Sequence, residues 1–382
     1  MLSVAEFRSL DELANVRLTW KSLWDQTPDA NYFQSYDWLR SYWRFYGEGL
    51  KLKVLLVSMA AKPIGLVPLV IKHERTQIGV ASVLTFPVGE WGAFYGQVGP
   101  NPVATFQGAM PHIFRKRADW NVIELPCFEN TEENRRLKEA MSECGLQTSI
   151  SGALRHPKIR LQDGWDEYLA DLTPPMRLRL SQAEHALRRV GPLSFHRWRP
   201  TGASDGKTVR RWDLLQHVAD LKRASDQCSS RADIELAFIR DAHPGAVDLA
   251  AVDLCTLNIG RRTIAAAYSY ISNGILTPVL FVTDPQYAVH ATDVLMGYLV
   301  RDGFMRQDEE IVFRTEHQDL AAGWTNDAAT ALTYGYYAWM SPQAQMLRLK
   351  QNRKKKLKSA HGSIPTSGVS DTATTVQLFS PS

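Results

Sequence analysis

Two stretches of the chain share one order of apolar and polar positions, at a spacing of about 200 residues. Residues 54–57 and 64–71 are apolar runs on either side of a polar turn, and residues 249–257 and 264–271 repeat this arrangement. Alternation on both sides of a short polar turn predicts a β-hairpin. The sequence therefore indicates one hairpin in each half of the chain, either by duplication or as two unrelated hairpins.

Further strand-like segments follow each hairpin. They are residues 82–87 and 121–125 in the first half, and residues 276–282 and 310–314 in the second. Meandering strands with helices between them are typical of an α+β fold with a largely antiparallel sheet in each lobe.

The segments between these strands show helical periodicity. Ser35 opens an aromatic-rich helix, and residues 165–190 read as a long helix interrupted near Pro174 and Pro175 and ended by Gly191. Residues 211–225 and 291–302 are the other clear helices, the last beginning near Thr292.

The length predicts two lobes and a tail. We expect lobes at residues 1–160 and 161–345, followed by a basic helix and disordered tail at 346–382. Residues 359–382 are rich in Ser, Thr, Gly and Pro with few large apolar side chains, a composition that does not form a core.

The formal net charge of +4 originates in the tail. Seven Lys and Arg residues lie between positions 348 and 358 with no acidic residue among them, so the rest of the chain is mildly acidic. The run either solvates the surface or contacts an anionic membrane surface. A nucleic-acid partner is not favoured, because the body has no basic excess or recognised motif.

Several classes of protein are excluded by what the sequence omits. It has no apolar run of membrane-spanning length and no apolar leader, and its four cysteines lie far apart without a CxxC pair. We expect a cytoplasmic protein with reduced thiols and no metal site. The motifs of nicotinamide binding, phosphate loops, zinc proteases and α/β-hydrolases are also missing.

From Trp165 onward, the order of motifs resembles the acetyltransferase-like module (BioF2-like domain) of CelD-type polysaccharide-biosynthesis proteins. That module is similar to the Fem-type aminoacyltransferases of the GNAT superfamily. The resemblance rests on Trp165 to Leu169, Arg177-Leu178-Arg179-Leu180, Leu187-Arg188-Arg189, Gly191, Trp212 to Arg223, Ile264-Ala265-Ala266, Asp284-Pro285-Gln286-Tyr287 and Thr292 to Val300. In the first lobe it rests on Phe33 to Leu39 and on the strand from Pro63 to Leu69.

The chain departs from the family pattern in two places. The usual Ser-Pro-Gly before the helix is replaced by His290-Ala291-Thr292, and the later Gly, Tyr-Lys and Trp become Thr315-Glu316-His317, Leu320-Ala321 and Trp324. Both departures weaken the case for ordinary catalysis.

The resemblance implies tandem GNAT-like lobes without a permanently bound cofactor, and acyl-CoA, such as acetyl-CoA, as co-substrate. Residues 276–282 and 310–314 would be two neighbouring strands that splay apart beside a helix amino end. Helix amino ends bind phosphate through unpaired N–H groups. The residues assigned to the acyl carrier are Val289, His290, Ala291, Thr292 and Asp293. Thr292 and Asp293 are also ordinary helix-start residues.

Acyl transfer to an amine needs a base and an oxyanion donor. Glu316 and His317 are the candidate bases and Tyr287 the candidate proton donor, although a strand-end pair without a catalytic role fits equally. Arg177 and Arg179, with Asp284, are the candidate acceptor-binding residues, and a solvated basic helix face is the alternative.

The sequence thus favours an N-acyl or aminoacyl transferase that acts on an amino-sugar, peptide or polysaccharide precursor held between the lobes. The alternative is a catalytically silent scaffold of the same fold in polysaccharide biosynthesis.

Overall fold

The structure is a computed structural model of the 382-residue chain. It describes residues 2–76, 79–87, 96–115, 119–129, 132–146, 149–202, 209–225 and 230–350. The predicted disordered segment 359–382, and most of the predicted basic helix, lie outside these ranges.

Twelve strands form one sheet through the described part of the chain. They are β1 (Leu2–Phe7), β2 (Lys51–Met59), β3 (Lys62–Thr76), β4 (Gly79–Thr85), β5 (Val122–Phe128), β6 (Ser149–Arg160), β7 (Leu193–Trp198), β8 (Val252–Ile259), β9 (Arg262–Ser272), β10 (Ile275–Thr283), β11 (Glu310–Val312) and β12 (Asp327–Tyr337).

Helices cover both faces of this sheet. They are α1 (Leu10–Ala14), α2 (Arg17–Asp25), α3 (Tyr36–Tyr46), α4 (Pro102–Arg115), α5 (Glu132–Glu143), α6 (Trp165–Asp171), α7 (Pro174–Val190), α8 (Trp212–Ser225), α9 (Ser230–Asp248), α10 (Ala288–Met305) and α11 (Gln318–Ala321). Residues 342–350 form a further helix, called the C-terminal helix below. The expectation of a mixed α+β fold is confirmed.

The strand order is β1-β2-β3-β4-β5-β12-β6-β11-β10-β9-β8-β7. Its two halves mirror each other, and each half has one parallel pair, β4 with β5 and β10 with β11. The first half of the sequence contains β1 to β6 and the second half contains β7 to β12. The last strand of each is exchanged, because β6 pairs with β11 of the second half while β12 pairs with β5 of the first. The boundaries at residues 160 and 345 stay a prediction, since each predicted lobe contributes a strand to the other half.

The two hairpins have the same register. Leu55 faces Val67 in the first, and Cys255 faces Ala267 in the second. Both also carry a β-bulge at the equivalent place, after Val57 and after Leu257. Two unrelated hairpins have no reason to share a bulge position, so the register favours duplication.

Most predicted helix limits agree with the structure. Ser35 accepts a hydrogen bond from the Trp38 amide and caps α3, and the helix break falls at Thr173 before Pro174. One limit was wrong, because α10 begins at Ala288 and not near Thr292. The Tyr287 carbonyl accepts hydrogen bonds from the amides of residues 290 and 291, so the helix forms a turn earlier.

A buried ionic cluster occupies equivalent positions in the two halves, with the charges reversed. In the first half, Lys53 Nζ lies 3.3 Å from Glu6 Oε1. In the second, Arg197 Nε lies 2.9 Å from Asp253 Oδ2, and its Nη2 lies 3.2 Å from Asp308 Oδ2. Asp253 and the Arg197 side chain are almost completely buried. The cluster ties β7 and β8 to the segment that precedes β11.

Replacing Arg197 by methionine should lower the free energy of unfolding by about 3 kcal/mol, because the buried carboxylates of Asp253 and Asp308 keep Arg199 but lose their most buried partner. Chemical denaturation measures this difference. The control is Lys21→Met, which removes a half-exposed ion pair with Asp25 and should cost at most about 1 kcal/mol. Equal losses in the two variants would contradict a special role for the buried cluster.

Candidate functional site

The parallel strands β10 and β11 separate almost as soon as they meet. They pair only at Ile275 with Glu310 and at Leu276 with Ile311. Immediately beyond, a bulge interrupts the β9–β10 register between Pro278 and Leu280 and leaves Val279 without a partner on β9. Proline cannot donate a ladder hydrogen bond, and bulges re-aim the backbone next to functional sites. The sheet is therefore open at this point, between the two strands that the family resemblance implies should splay apart.

Arg314 spans this opening. Its side chain is buried, and Nη1 donates a hydrogen bond to the Val279 carbonyl at 3.3 Å. Its Nη2 donates to Glu316 Oε2 at 2.5 Å. The predicted base Glu316 is consequently held beside the opening, with 41% of its side chain exposed.

His317 lies in the same place. Its ring lies against the Pro278 backbone, and burial, together with the nearby Arg314 charge, lowers the pKa of His317 to about 4. The buried Nδ1 has no hydrogen-bond partner among the described residues. An unsatisfied buried polar atom costs about 1–3 kcal/mol, so a water or ligand atom that reaches Nδ1 would be favourable.

The amino end of α10 is open. No side chain caps the helix at Tyr287, and within the described residues the amides of Ala288 and Val289 have no hydrogen-bond acceptor. The Val289 side chain is 82% exposed. Unpaired amides and the positive end of the helix dipole make this end attractive to an anion.

Tyr287 and Asp284 form a separate group with Arg262. The Arg262 Nη2 lies 2.5 Å from Asp284 Oδ2, and its guanidinium lies over the Tyr287 ring at 5.3 Å. Asp284 Oδ1 also accepts the amide of Gln286 at 3.0 Å and fixes the turn before α10.

Within the described residues, Tyr287 forms no hydrogen bond or ion pair with Glu316 or His317. Its ring instead lies against Arg262, whereas Glu316 is held by Arg314.

Two predicted site residues pair with each other. Arg179 Nε on α7 lies 2.9 Å from Asp293 Oδ2 on α10, where Asp293 is largely buried. Arg177 bonds the Ala170 carbonyl of α6, and the Thr292 hydroxyl donates to the Ala288 carbonyl one turn back. The Asp293 charge is thus neutralised within the protein. Its repulsion toward a phosphate at the helix end is reduced accordingly.

A groove of about 680 Å³ crosses the centre of the sheet, where the two halves meet. Its floor includes Thr277 of β10 and Val312 of β11, the residues next to the last paired positions. Leu276, between two groove residues, instead packs into the core with α10. Because successive strand residues face opposite sides, the groove and α10 lie on opposite faces of the sheet.

The charge of the groove is mainly negative. Lys158 Nζ lies 2.7 Å from Glu310 Oε1, and Arg160 Nε lies 2.7 Å from Asp327 Oδ2. Three further acidic residues in the lining are exposed, namely Asp29, Glu129 and Glu309. The surplus of carboxylates suits a positively charged ligand.

Sequence reasoning missed Arg314 and the groove residues. Pro278 within a strand was the available signal for a bulge. Lys158, Glu310 and Asp327 gave no signal, because the exchanged strands that bring them together are not adjacent in sequence.

Within the described residues, no group of three or more His, Cys, Asp or Glu side chains is placed to hold a metal ion. The helices in these ranges also include none that is both long and apolar enough to cross a membrane.

Comparison with known families gives one match. Residues 174–319 match the family described as Acetyltransferase (GNAT) domain. The match runs from the start of α7 into α11 and contains the opening between β10 and β11. It supports a GNAT-type domain in this part of the chain. A search of curated proteins found no significant match.

Solved structures extend the likeness over most of the chain. FemX superimposes with a TM-score of 0.55 at 8% identity, covering 90% of this chain and 99% of that protein. A conserved protein of unknown function from Bacteroides thetaiotaomicron VPI-5482 gives 0.51 at 12% identity, covering 88% and 100%. At such low identity the likeness concerns the fold alone. The relation to CelD-type proteins stays a prediction.

Acidification should destabilise the protein through His317. The folded-state pKa of about 4 lies below the ordinary value of 6.5, so the unfolded chain takes up the proton first and stability falls as the pH drops from about 6.5 to 4. By pH 5 the loss from His317 is on the order of 1–2 kcal/mol. The unfolding free energy of His317→Gln should decline less between pH 7 and pH 5.

His156 and His243 also contribute to the loss of stability at low pH, because burial lowers their pKa values. Their contribution is the same in the wild type and in His317→Gln. The matched control is His185→Gln, in which an exposed histidine of α7 is replaced. An identical pH dependence in wild type and His317→Gln would remove His317 from this account.

Proposed function

We propose that the protein is an N-acyltransferase that moves an acyl group from acyl-CoA, or an aminoacyl group from a charged carrier, to an amine. The observation that carries the proposal is the opening between β10 and β11. The amino end of α10 lies on one face of the sheet and the central groove on the other, and this opening would connect them.

The donor would lie on the α10 side. The amides of Ala288 and Val289 would receive the pyrophosphate of an acyl-CoA such as acetyl-CoA, supported by the helix dipole. The pantetheine arm would follow the unpaired edge of β10 toward Val279. The predicted carrier residues Val289 to Asp293 contribute unequally to this arrangement. Only the first two amides of α10 are available, whereas Thr292 and Asp293 are engaged within the protein.

The acceptor would lie in the central groove. Its carboxylates, including Asp29 and Glu129 at the rim, would attract the cationic form of an amine and orient it toward Thr277 and Val312. An amino sugar, a peptide or an amine-bearing polysaccharide precursor meets this requirement. Arg177 and Arg179, named as acceptor residues from the sequence, would lie beside α10 on the donor side.

Chemistry would occur where donor and acceptor meet. A base first removes one proton from the bound ammonium, and the neutral amine nitrogen then attacks the thioester carbonyl. The CoA thiolate leaves and takes up the second proton that the nitrogen releases. Glu316 and His317 both lie at the opening. Glu316, kept next to the opening by Arg314, is our first choice, because 41% of its side chain is exposed and can reach an acceptor, whereas Nδ1 of His317 is buried. Arg314 also places positive charge where the oxyanion would form.

A cytoplasmic location belongs to this proposal, because acyl-CoA and charged tRNA are cytoplasmic donors. A place in polysaccharide biosynthesis belongs to it as well, through the resemblance of the motifs.

The donor position is tested by Val289→Glu. The substitution adds a carboxylate beside the two free amides, so acetyl-CoA should bind about ten-fold more weakly, about 1.4 kcal/mol. Calorimetric titration measures the affinity. The matched control, Val289→Gln, has the same shape without the charge and should bind acetyl-CoA as the wild type does. Because residue 289 is 82% exposed, both variants should fold normally.

If the wild type binds acetyl-CoA and Val289→Glu binds it equally well, the donor does not lie at α10. If neither acetyl-CoA, longer acyl-CoAs nor charged tRNA raises the melting temperature of the wild type, the enzyme proposal is abandoned for the scaffold.

The base is tested by Glu316→Gln, with acetyl-CoA as donor and glucosamine or a lysine-containing peptide as acceptor. At saturating donor, kcat should fall by about 10²–10⁴, the usual contribution of general-base catalysis. The affinity for acetyl-CoA should not change. An unchanged kcat would exclude Glu316 as the base and transfer the question to His317→Gln.

One observation favours the scaffold alternative. Arg314 already occupies the Val279 carbonyl, which a pantetheine arm would otherwise reach. In a silent scaffold, the hydrogen bond between Arg314 and the Val279 carbonyl would persist and no donor would bind. In an enzyme, donor binding would break this hydrogen bond. Donor-induced stabilisation decides between the two.

A further inference from the structure

Exposed apolar side chains concentrate in a short stretch after β12. Trp339 is 65% exposed, Met340 67%, Met346 50% and Leu349 63%. Trp339 and Met340 follow the strand directly, and the other two lie on the C-terminal helix. We call these four residues the apolar surface.

The C-terminal helix is held on its inner face. Ala344 is completely buried, and Leu347 packs on the side chains of Ala81 and Val83 of β4. The Ser341 hydroxyl caps the helix by accepting the Ala344 amide at 3.2 Å.

The outer face of the helix carries Met346 and Leu349. They lie three positions apart, on the side of the helix away from Ala344 and Leu347. Since the inner face already anchors the helix, folding does not explain why the outer face is apolar. Exposed apolar side chains that share one face of a helix, close in sequence to Trp339 and Met340, are typical of an interaction surface.

The charge next to this surface is strongly positive. Arg348 and Lys350 lie on the same helix, and five more Lys and Arg residues follow up to Lys358, with no acidic residue between positions 348 and 358. An anionic partner is complementary to such a run.

We propose that the apolar surface, together with Arg348 and Lys350 of the same helix, docks the protein onto an anionic phospholipid bilayer. Tryptophan is enriched at the membrane interface, where its ring lies between apolar and polar regions. Methionine and leucine side chains gain by leaving water for the acyl region. Nucleic acid satisfies the positive charge but offers no such environment for Met346 and Leu349, because it binds apolar protein surface mainly by stacking bases on aromatic rings.

This docking does not depend on the proposed transferase activity. The C-terminal helix, which carries Met346 and Leu349, packs on the first half of the sheet through Leu347 and β4, whereas the opening between β10 and β11 lies in the second half. Variants of either region can therefore be tested independently.

Vesicle flotation of the full chain tests the proposal. Two vesicle compositions are compared, phosphatidylcholine alone and phosphatidylcholine with about one third phosphatidylglycerol, at moderate ionic strength. The protein should float with the anionic vesicles only. The double variant Met346→Ser with Leu349→Ser should reduce partitioning by about ten-fold. The double variant Arg348→Gln with Lys350→Gln should reduce it by about five-fold or more.

The matched control is Leu18→Ser, which removes an 85% exposed leucine from α2, outside the apolar surface, and should float as the wild type does. A second measurement uses lipids brominated near the headgroup. They should quench a component of tryptophan fluorescence that is lost in Trp339→Phe.

Absence of flotation with anionic vesicles overturns the proposal. So does flotation that the Met346 and Leu349 substitutions leave unchanged, because binding would then be purely electrostatic. Displacement from the vesicles by single-stranded RNA, with the RNA bound more tightly than lipid, would assign the surface to nucleic acid. Acetyl-CoA affinity should be the same in the Met346 and Leu349 double variant and the wild type, which separates this test from that of the proposed function.

Discussion

The site depends on a constraint of the polypeptide backbone, because every strand edge in a sheet must find partners for its N–H and C=O groups. β10 and β11 satisfy this requirement for only two positions of their contact. Beyond those positions the partners have to come from side chains, water or a ligand. Arg314 supplies one of them from within the protein, and the amino end of α10 leaves two amides unsupplied. The opening and the helix end both present backbone groups without a strand partner, and the groove begins beside the last paired positions of β10 and β11.

Local sequence patterns predicted much of this arrangement. The hairpins and the helix break at Pro174 were visible, because alternation, proline and capping residues act over a few positions. The separation of the two strands was implied by the family resemblance. The start of α10 was placed too late, since Thr292 and Asp293 are good helix-start residues. The turn fixed by Asp284 instead allows the helix to begin at Ala288.

A groove between the lobes was expected from the sequence, but the residues that line it were beyond such reasoning. Its charges come from β6, β11 and β12, and their proximity depends on which strand inserts beside which. Nothing within a few residues of Lys158 or Asp327 indicates that they lie in one sheet next to Glu310. The reversed ionic clusters show a related limit. The two hairpins share the register of Leu55 and Cys255 but not the sign of the buried charges, so the repeat is clearer in the backbone than in the amino-acid sequence.

The exchange of β6 and β12 has a consequence for how the molecule is made. As the chain leaves the ribosome, the edges of β5 and β6 stay without their shared neighbour until β12 has been synthesised. Unpaired strand edges are templates for association with other chains. A fragment that stops before β12 would keep both edges exposed. We therefore expect the two halves to complete folding together, once β12 is present. Separating them into independent domains would require redesign of β6 and β12.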